Sequence, residues 1–145
     1  MNIYDNEYHE LKNYFDNNLN LDKETYKNSN DEPTPMECVE EMLSKLPDSI
    51  WAKKDIKILD PCCGNGNFHL YAINKMKKFA PLQEIVENNL FFNDLNTARI
   101  ENLKDIFGSS CNITVEDFLK YDESIKYDLI YANPPYAKFT KDNKR

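Results

Sequence analysis

From residue 56 onward, short apolar segments alternate with longer segments of helical periodicity. They predict strands at 56–59, 90–92, 113–115 and 127–132, with helices at 68–79 and 97–107. Such alternation implies a parallel sheet with helices on its faces, so the fold class is α/β. Ligands of these sheets bind at the carboxyl ends of the strands, near the point where the strand order reverses. Every unusual loop of the sequence lies at such an end.

The 145-residue chain is acidic, and its net charge of -7 is spread unevenly. Residues 1–50 contain 12 acidic and 4 basic residues, whereas residues 51–145 contain 13 and 14. Neither part has the basic surface expected of a protein that grips duplex phosphates by itself. With 41% hydrophobic and 30% charged residues, the composition is that of a single globular domain rather than of a disordered chain.

Several classes of protein and site are disfavoured by what the sequence lacks. It has no apolar run that could cross a bilayer and no signal peptide, so we expect a cytoplasmic protein without a membrane partner. The four cysteines form no CxxC pair and have no histidine at ligand spacing. We therefore expect reduced structural thiols and no metal site. His9 and His69 belong to no catalytic pattern and are interpreted as structural or exposed.

The first 33 residues form an extension with its own pattern. Apolar residues at helical spacing over 1–21 predict an amphipathic helix, with Tyr4, Tyr8, Leu11, Phe15 and Leu19 on one face. Residues 22–33 are polar and contain a proline, which predicts a linker. We therefore divide the chain into an N-terminal helix with a linker, residues 1–33, and a main domain, residues 34–145.

A strongly marked helix start opens the main domain. Thr34 can cap a helix, Pro35 suits the first helical position, and Glu37 would complete a capping box. We expect the helix to end before Pro47. Its apolar face is predicted to consist of Met36, Val39, Met42, Leu43 and Leu46.

The first strand runs into a loop, Asp60-Pro-Cys-Cys-Gly-Asn-Gly-Asn, that holds two of the three glycines of the chain. Gly64 and Gly66 allow a tight turn and the close approach of a ligand, because neither has a Cβ. This strand-loop-helix context is typical of nucleotide-type ligands. The loop is neither the GxGxxG of dinucleotide enzymes nor a phosphate loop with Gly-Lys-Ser/Thr. The alternative is a plain strand-to-helix turn.

Acidic residues follow the second and third strands. Asp94 lies about 30 residues after the glycine loop, where a carboxylate can accept hydrogen bonds from both ribose hydroxyls of an adenosine-containing ligand. Asp117 and Phe118 offer a carboxylate for an exocyclic amine beside an aromatic face. On local grounds a turn residue at Asp94 and a helix cap at Asp117 are equally good interpretations.

The tetrapeptide Asn133-Pro134-Pro135-Tyr136 after the fourth strand is the most specific motif. Its two prolines fix a rigid extended turn and remove two donors, so that carbonyl oxygens face outward as acceptors. Asn133 adds another acceptor and Tyr136 adds a flat ring. The arrangement suits a planar ring that carries an amino group.

Together, Thr34-Pro35, the glycine loop, Asp94, Asp117-Phe118 and the tetrapeptide resemble the S-adenosylmethionine-dependent N6-adenine DNA methyltransferases of restriction-modification systems. The resemblance covers residues 30–140 or so. It implies a Rossmann-like methyltransferase fold, with a partial parallel sheet of about four strands, flanking helices and an N-terminal helical extension. It further implies methyl transfer from S-adenosylmethionine to the exocyclic amine of an adenine that is flipped out of DNA.

The resemblance assigns roles to individual residues. The methionine part of the cofactor would be bound by Thr34, Asp60, Cys62, Gly64 and Gly66. Asp94 would bind the ribose, and Asp117 with Phe118 would bind the cofactor's adenine. The catalytic residues would be Asn133, Pro134, Pro135 and Tyr136: the amide of Asn133 and the carbonyl of Pro134 accept from the target amine, and Tyr136 stacks on the base.

The chain departs from the family after the tetrapeptide, where relatives continue with at least three more strands and a recognition domain. We therefore expect a truncated or split form that is inactive alone, with target recognition supplied by a second polypeptide or a missing C-terminal region. A cognate restriction endonuclease is a further expected partner. The alternatives are a non-catalytic cofactor-binding remnant or subunit, and an amino-methyltransferase that acts on protein glutamine or RNA.

Overall fold

The computed structural model describes residues 1–19, 33–117 and 124–133. Within these ranges the chain forms a four-stranded parallel sheet of order β3-β2-β1-β4. The strands are β1 (Ile58–Asp60), β2 (Leu90–Asn93), β3 (Asn112–Thr114) and β4 (Leu129–Ile130). The α/β class and the parallel sheet are confirmed, although β4 is much shorter than the apolar segment that predicted it.

Helices flank this sheet. They are α1 (Tyr8–Tyr14), α2 (Met36–Leu43), α3 (Asn67–Met76), α4 (Leu82–Glu84) and α5 (Arg99–Phe107). The π-helical segment Phe15–Leu19 extends α1, and a 3-10 turn spans Asp48–Ile50. Sequence analysis missed α4 and the π-helical segment Ile85–Asn89 that follows it. This missed region contributes Ile85 and Val86 to the core.

The core lies around β1 and α3. All three residues of β1 are at most 1% exposed, because helices cover both faces of a parallel sheet. Helix α3 is buried around almost its whole circumference, with Asn74 and Lys75 partly exposed. The strand order reverses at β1, whose neighbours are β2 and β4. The carboxyl end of β1 is therefore the expected ligand position.

The N-terminal residues pack onto this same core. Ile3, Leu11 and Phe15 are buried in it, and the backbone N–H of Ile3 donates to the carbonyl of Ile106 at 3.0 Å. The first helix begins at Tyr8 rather than near residue 1, so Tyr4 lies in a turn, and its hydroxyl donates to the carbonyl of Phe107. The division of the chain at residue 33 stays a prediction, and most of the predicted linker lies outside the described residues.

The start of α2 corrects the predicted capping box. The N-cap is Pro35, and no side-chain cap bond from this position is formed. The first amide, Met36 N–H, instead donates to Asp16 Oδ1 at 3.0 Å. A carboxylate from the N-terminal helix is favourable at a helix N-terminus, so it takes the place of the local hydroxyl of Thr34. Met42 is also wrongly placed in the apolar face, since it is 50% exposed.

Two other kinds of site are absent from the described ranges. No helix within them is long and apolar enough to cross a membrane. No group of three or more histidine, cysteine or acidic side chains in the same ranges could hold a metal ion. The four cysteines are free thiols, and Cys63 and Cys111 are buried.

Candidate functional site

A small cleft lies at the carboxyl end of β1, the position at which parallel sheets of this order bind their ligands. It is bordered by the glycine loop, by the N-terminal ends of α2 and α5, and by Asn133, three residues after β4. Its lining consists of Pro33, Thr34, Cys62, Cys63, Gly64, Asn65, Asn67, Phe68, Arg99 and Asn133. The structure thus brings together four residues predicted from sequence: Thr34, Cys62, Gly64 and Asn133.

Both glycines of the loop have a left-handed backbone, with φ of 55° at Gly64 and 91° at Gly66. A Cβ at Gly64 would lie 2.8 Å from Nη1 of Arg99, and one at Gly66 would lie 2.5 Å from Cε2 of Phe107. The tight turn is therefore confirmed. The space at Gly66, however, is filled by a core ring rather than open to the cleft, so this glycine permits helix packing.

Asp60 ends β1 at the base of the loop and is completely buried. Its Oδ1 accepts the backbone N–H of Cys62 at 3.1 Å, whereas Oδ2 has no hydrogen-bond partner among the described residues. Burial raises the pKa of Asp60 to about 8, the bond from Cys62 opposes this shift, and the nearby Asp94 carboxylate adds to it. At neutral pH Asp60 is therefore mostly a neutral acid.

Asp94 ties the glycine loop to the end of β2. Its Oδ2 accepts the N–H of Gly64 and its Oδ1 accepts the N–H of Asn96, both at 2.8 Å. The second bond closes the turn that the sequence around Asp94 predicted. Asp94 is 6% exposed and lies outside the lining of the cleft. Each oxygen retains lone-pair capacity, so ribose binding stays a prediction beside this structural role.

Three polar side chains connect the elements around the cleft. The Nδ2 of Asn67, the first residue of α3, donates to the carbonyl of Thr34 at 2.6 Å. The Nδ2 of Asn133 donates to Oγ1 of Thr34, also at 2.6 Å. Thr34 therefore joins the helix after the glycine loop to the residue that opens the tetrapeptide.

A buried aromatic cluster fixes the end of β4. His69 donates from Nε2 to the carbonyl of Phe91, so its Nδ1 accepts the hydroxyl proton of Tyr131. Burial lowers the pKa of His69 to about 4, which keeps the ring neutral. The ring of Tyr131 also stacks on Phe68 with centroids 5.3 Å apart. This confirms a structural role for His69 and anchors the chain two residues before Asn133.

Other predicted residues lie elsewhere. Asp117 is exposed and does not line the cleft. Phe118, Pro134, Pro135 and Tyr136 lie outside the described residues, so their roles stay predictions.

Sequence analysis missed Asn67 and Arg99. Arg99 is 3% exposed, lines the cleft, and places its guanidinium against Gly64. The sequence contained one indication: Arg99 is a basic residue in the first turn of a helix, where it opposes the helix dipole, which suggests that it has another role. Asn67 follows the glycine loop directly, but nothing local indicates that its partner is Thr34.

The comparison with protein families decides the classification. Residues 23–145 match the family model of the N-6 DNA methylases. The chain belongs to this family. The Rossmann-like methyltransferase fold predicted from sequence is thereby confirmed together with the parallel sheet.

The proteins similar in sequence to this N-6 DNA methylase family member include two methyltransferases of different types. The chain is 32% identical over 123 residues to the type II methyltransferase M.VspI of Vibrio sp. (strain 343), which covers 79% of this chain and 28% of that protein. It is 36% identical over 81 residues to malonyl-[acyl-carrier protein] O-methyltransferase 2 of Ilyobacter polytropus, covering 54% and 28%.

A solved structure shares the fold. It is a modification subunit assigned to a type I restriction enzyme from Vibrio vulnificus YJ016, with a TM-score of 0.63 at 17% identity, covering 95% of this chain and 31% of that one. The chain therefore spans less than a third of the length of each of these proteins.

Proposed function

We propose that the chain supplies the S-adenosylmethionine site and the target-amine residues of a site-specific DNA adenine N6-methyltransferase. One observation carries this proposal: Asn133, the residue expected to bind the target amine, lines the same cleft as Gly64 and is hydrogen-bonded to Thr34 at 2.6 Å. Methyl transfer requires donor and acceptor sites in contact, and the position of Gly64 and Asn133 in one cleft supports the proposal.

The polar groups of the cleft region fit the proposed cofactor, which supplies an electrophilic methyl group on a sulfonium. Asp60 Oδ2 is buried and lacks a partner among the described residues, as expected of a group that awaits a ligand. Arg99 suits a carboxylate, since it lines the cleft. Asp94 suits ribose hydroxyls. Cys62 and Gly64 would form the remaining contacts.

The protein's contribution to the reaction is positioning and polarisation. The adenine N6 lone pair is delocalised into the ring and is a poor nucleophile. Hydrogen bonds from this amine to Asn133 Oδ1 and to the carbonyl of Pro134 would localise the pair and direct it into the cleft. Tyr136 would stack on the flipped base and offset part of its unstacking, which costs a few kcal/mol. A displacement of ~1 Å in such a site can lose about 100-fold in rate.

The whole enzyme requires more than this chain offers. Sequence readout needs contacts to base edges, and a net charge of -7 does not favour DNA. We propose that a second polypeptide or a further region supplies target recognition, and that a cognate endonuclease belongs to the same system. The family match supports DNA over protein glutamine or RNA as the acceptor.

The proposal is tested by transfer of labelled methyl groups from S-adenosylmethionine to unmethylated DNA, using the chain together with the polypeptide or region that completes it. We expect N6-methyladenine, and at least about a 100-fold loss with Asn133→Ala, because the target amine loses its acceptor. Asn74→Ala, in the partly exposed part of α3, is the matched control and keeps full activity. Methyladenine formation that is unaffected by Asn133→Ala contradicts the proposal.

A further inference from the structure

Thr34 uses its main chain and its side chain for different partners. Its carbonyl accepts Nδ2 of Asn67, and its hydroxyl oxygen accepts Nδ2 of Asn133. The first bond fixes the position of Thr34 relative to the glycine loop and α3. The second bond passes that position on to the side chain of Asn133.

The backbone on either side of this contact is independently anchored. The start of α2, two residues after Thr34, is bound by Asp16 through Met36 N–H. Tyr131, directly after β4 and two residues before Asn133, is hydrogen-bonded to His69. Both backbone segments that carry this contact are therefore held in place.

The two ends of that amide are chemically opposite. Oδ1 can only accept a hydrogen bond, and Nδ2 can only donate. A target amine donates in the proposed reaction, so it needs Oδ1. With Nδ2 on Thr34, Oδ1 is the end turned away from Thr34. Because the threonine hydroxyl can donate as well as accept, its bond fixes the place of the amide, and the target amine's need for an acceptor selects the orientation with Oδ1 outward.

We propose that Thr34 is a positioning residue: the bond to its hydroxyl fixes the place of the Asn133 side chain at the cleft, from which Oδ1 accepts the target amine. The inference rests on the proposed function, and it differs from the cofactor contact that the family resemblance implies for Thr34. Substitution of Thr34 by valine removes the hydroxyl while keeping the β-branched shape. The carbonyl that binds Asn67 is unchanged in this variant, so the backbone anchor remains.

The first measurement needs no catalysis. In the ¹⁵N-labelled 145-residue chain, the side-chain amide signals of Asn133 are assigned by their disappearance in Asn133→Asp. We expect Thr34→Val to shift these signals and to speed their solvent exchange about fivefold, because this factor corresponds to the loss of one hydrogen bond of typical strength. Thr34→Ser keeps the wild-type signals, as does Ser44→Ala, which removes an exposed hydroxyl bonded to Glu41. Unchanged Asn133 signals in Thr34→Val overturn the inference, whether or not the protein methylates DNA.

The second measurement separates positioning from cofactor binding in the completed methyltransferase. At saturating S-adenosylmethionine and DNA, Thr34→Val lowers the single-turnover rate about tenfold or more, Thr34→Ser restores it, and the cofactor Kd from calorimetry stays within about twofold. A single-turnover rate that is unchanged at saturation, with a weakened cofactor Kd, makes Thr34 a direct cofactor contact and overturns the inference.

Discussion

The two sides of β1 are supported to very different degrees. On one side β2 pairs with β1 at three register positions and is itself flanked by β3. On the other side β4 pairs at two positions, and its Ile130 is 52% exposed. The glycine loop is supported by the β2 side of the sheet, whereas Asn133 follows β4 on the other side. Asn133 therefore depends on a few specific side-chain contacts, and the glycine loop depends on the packed sheet.

The largest expected effect falls on the well-packed side. Gly66→Ala combines a left-handed φ of 91° with a Cβ that would lie 2.5 Å from the Phe107 ring. Strain and overpacking together should lower the free energy of unfolding by about 3 kcal/mol. Urea denaturation measures this loss. Gly108→Ala is the control, since its φ is 103° but its Cβ would lie 3.1 Å from the Tyr4 hydroxyl. An equal or smaller loss at Gly66 would show that this side tolerates change.

The next effect is a pH dependence of stability, because Asp60 and His69 have shifted pKa values. Asp60 has a folded pKa of about 8 against an ordinary 3.8, so the folded state holds a proton that the unfolded chain releases. Stability therefore falls as pH rises from about 4 to about 8. His69 has a folded pKa of about 4 against 6.5, so its contribution is lost as pH falls through that range. The two slopes oppose each other below pH 6.5, and above it Asp60 acts alone.

Between pH 6.5 and pH 8 the wild-type free energy of unfolding should fall by about 1.5 kcal/mol. Asp60→Asn, which keeps the shape without the titration, should be nearly flat over this interval. The exposed Asp105→Asn is the matched control and should retain the wild-type slope. Denaturant titrations at several pH values decide the matter, and a wild-type curve as flat as that of Asp60→Asn rules out a buried neutral acid.

A smaller effect is expected on the weakly supported side. Tyr131→Phe keeps the ring that stacks on Phe68 but leaves Nδ1 of His69 without its donor. We expect a loss of about 1.5 kcal/mol in the free energy of unfolding. Tyr14→Phe, which removes a half-buried hydroxyl, should cost less than about 0.5 kcal/mol. Equal stabilities of the two variants in thermal or urea unfolding would mean that the bond to His69 does not anchor β4.

The smallest stability effect concerns the outer edge of β4. An exposed apolar edge invites pairing with another chain, so we expect the wild-type chain to self-associate at high concentration. Ile130→Lys should reduce this association while changing the free energy of unfolding by less than about 0.5 kcal/mol. Light scattering over a concentration series measures the association. A monodisperse wild-type monomer would show that the edge is harmless.

Local patterns predicted much of the sheet and its loops, and the reason is visible at Asp60 and Gly64. A buried strand and a turn with positive φ can each be predicted from the types of a few adjacent residues. The segment after residue 80 was missed because Ile85 and Val86 form too short an apolar pair to set a helical period.

Contacts between residues that are distant in sequence could not be predicted from such local patterns. Thr34 and Glu37 form a valid local capping pattern, but Asp16 satisfies the helix start instead. Thr34 then bonds to Asn133, a residue 99 positions away. The residue types at the cleft were therefore predictable, whereas the pairing among them required the tertiary structure. The proposed catalytic roles remain predictions.

The carboxylate of Asp16 has a consequence for where the functional unit of this protein begins. The family match starts at residue 23, so Asp16 lies outside it. A chain trimmed to residues 23–145 would retain every lining residue of the cleft, yet α2 would lose the bond that holds its first amide, two positions from Thr34. The boundary of the family match would then separate the residues of the cleft from a contact that holds the start of α2 in place.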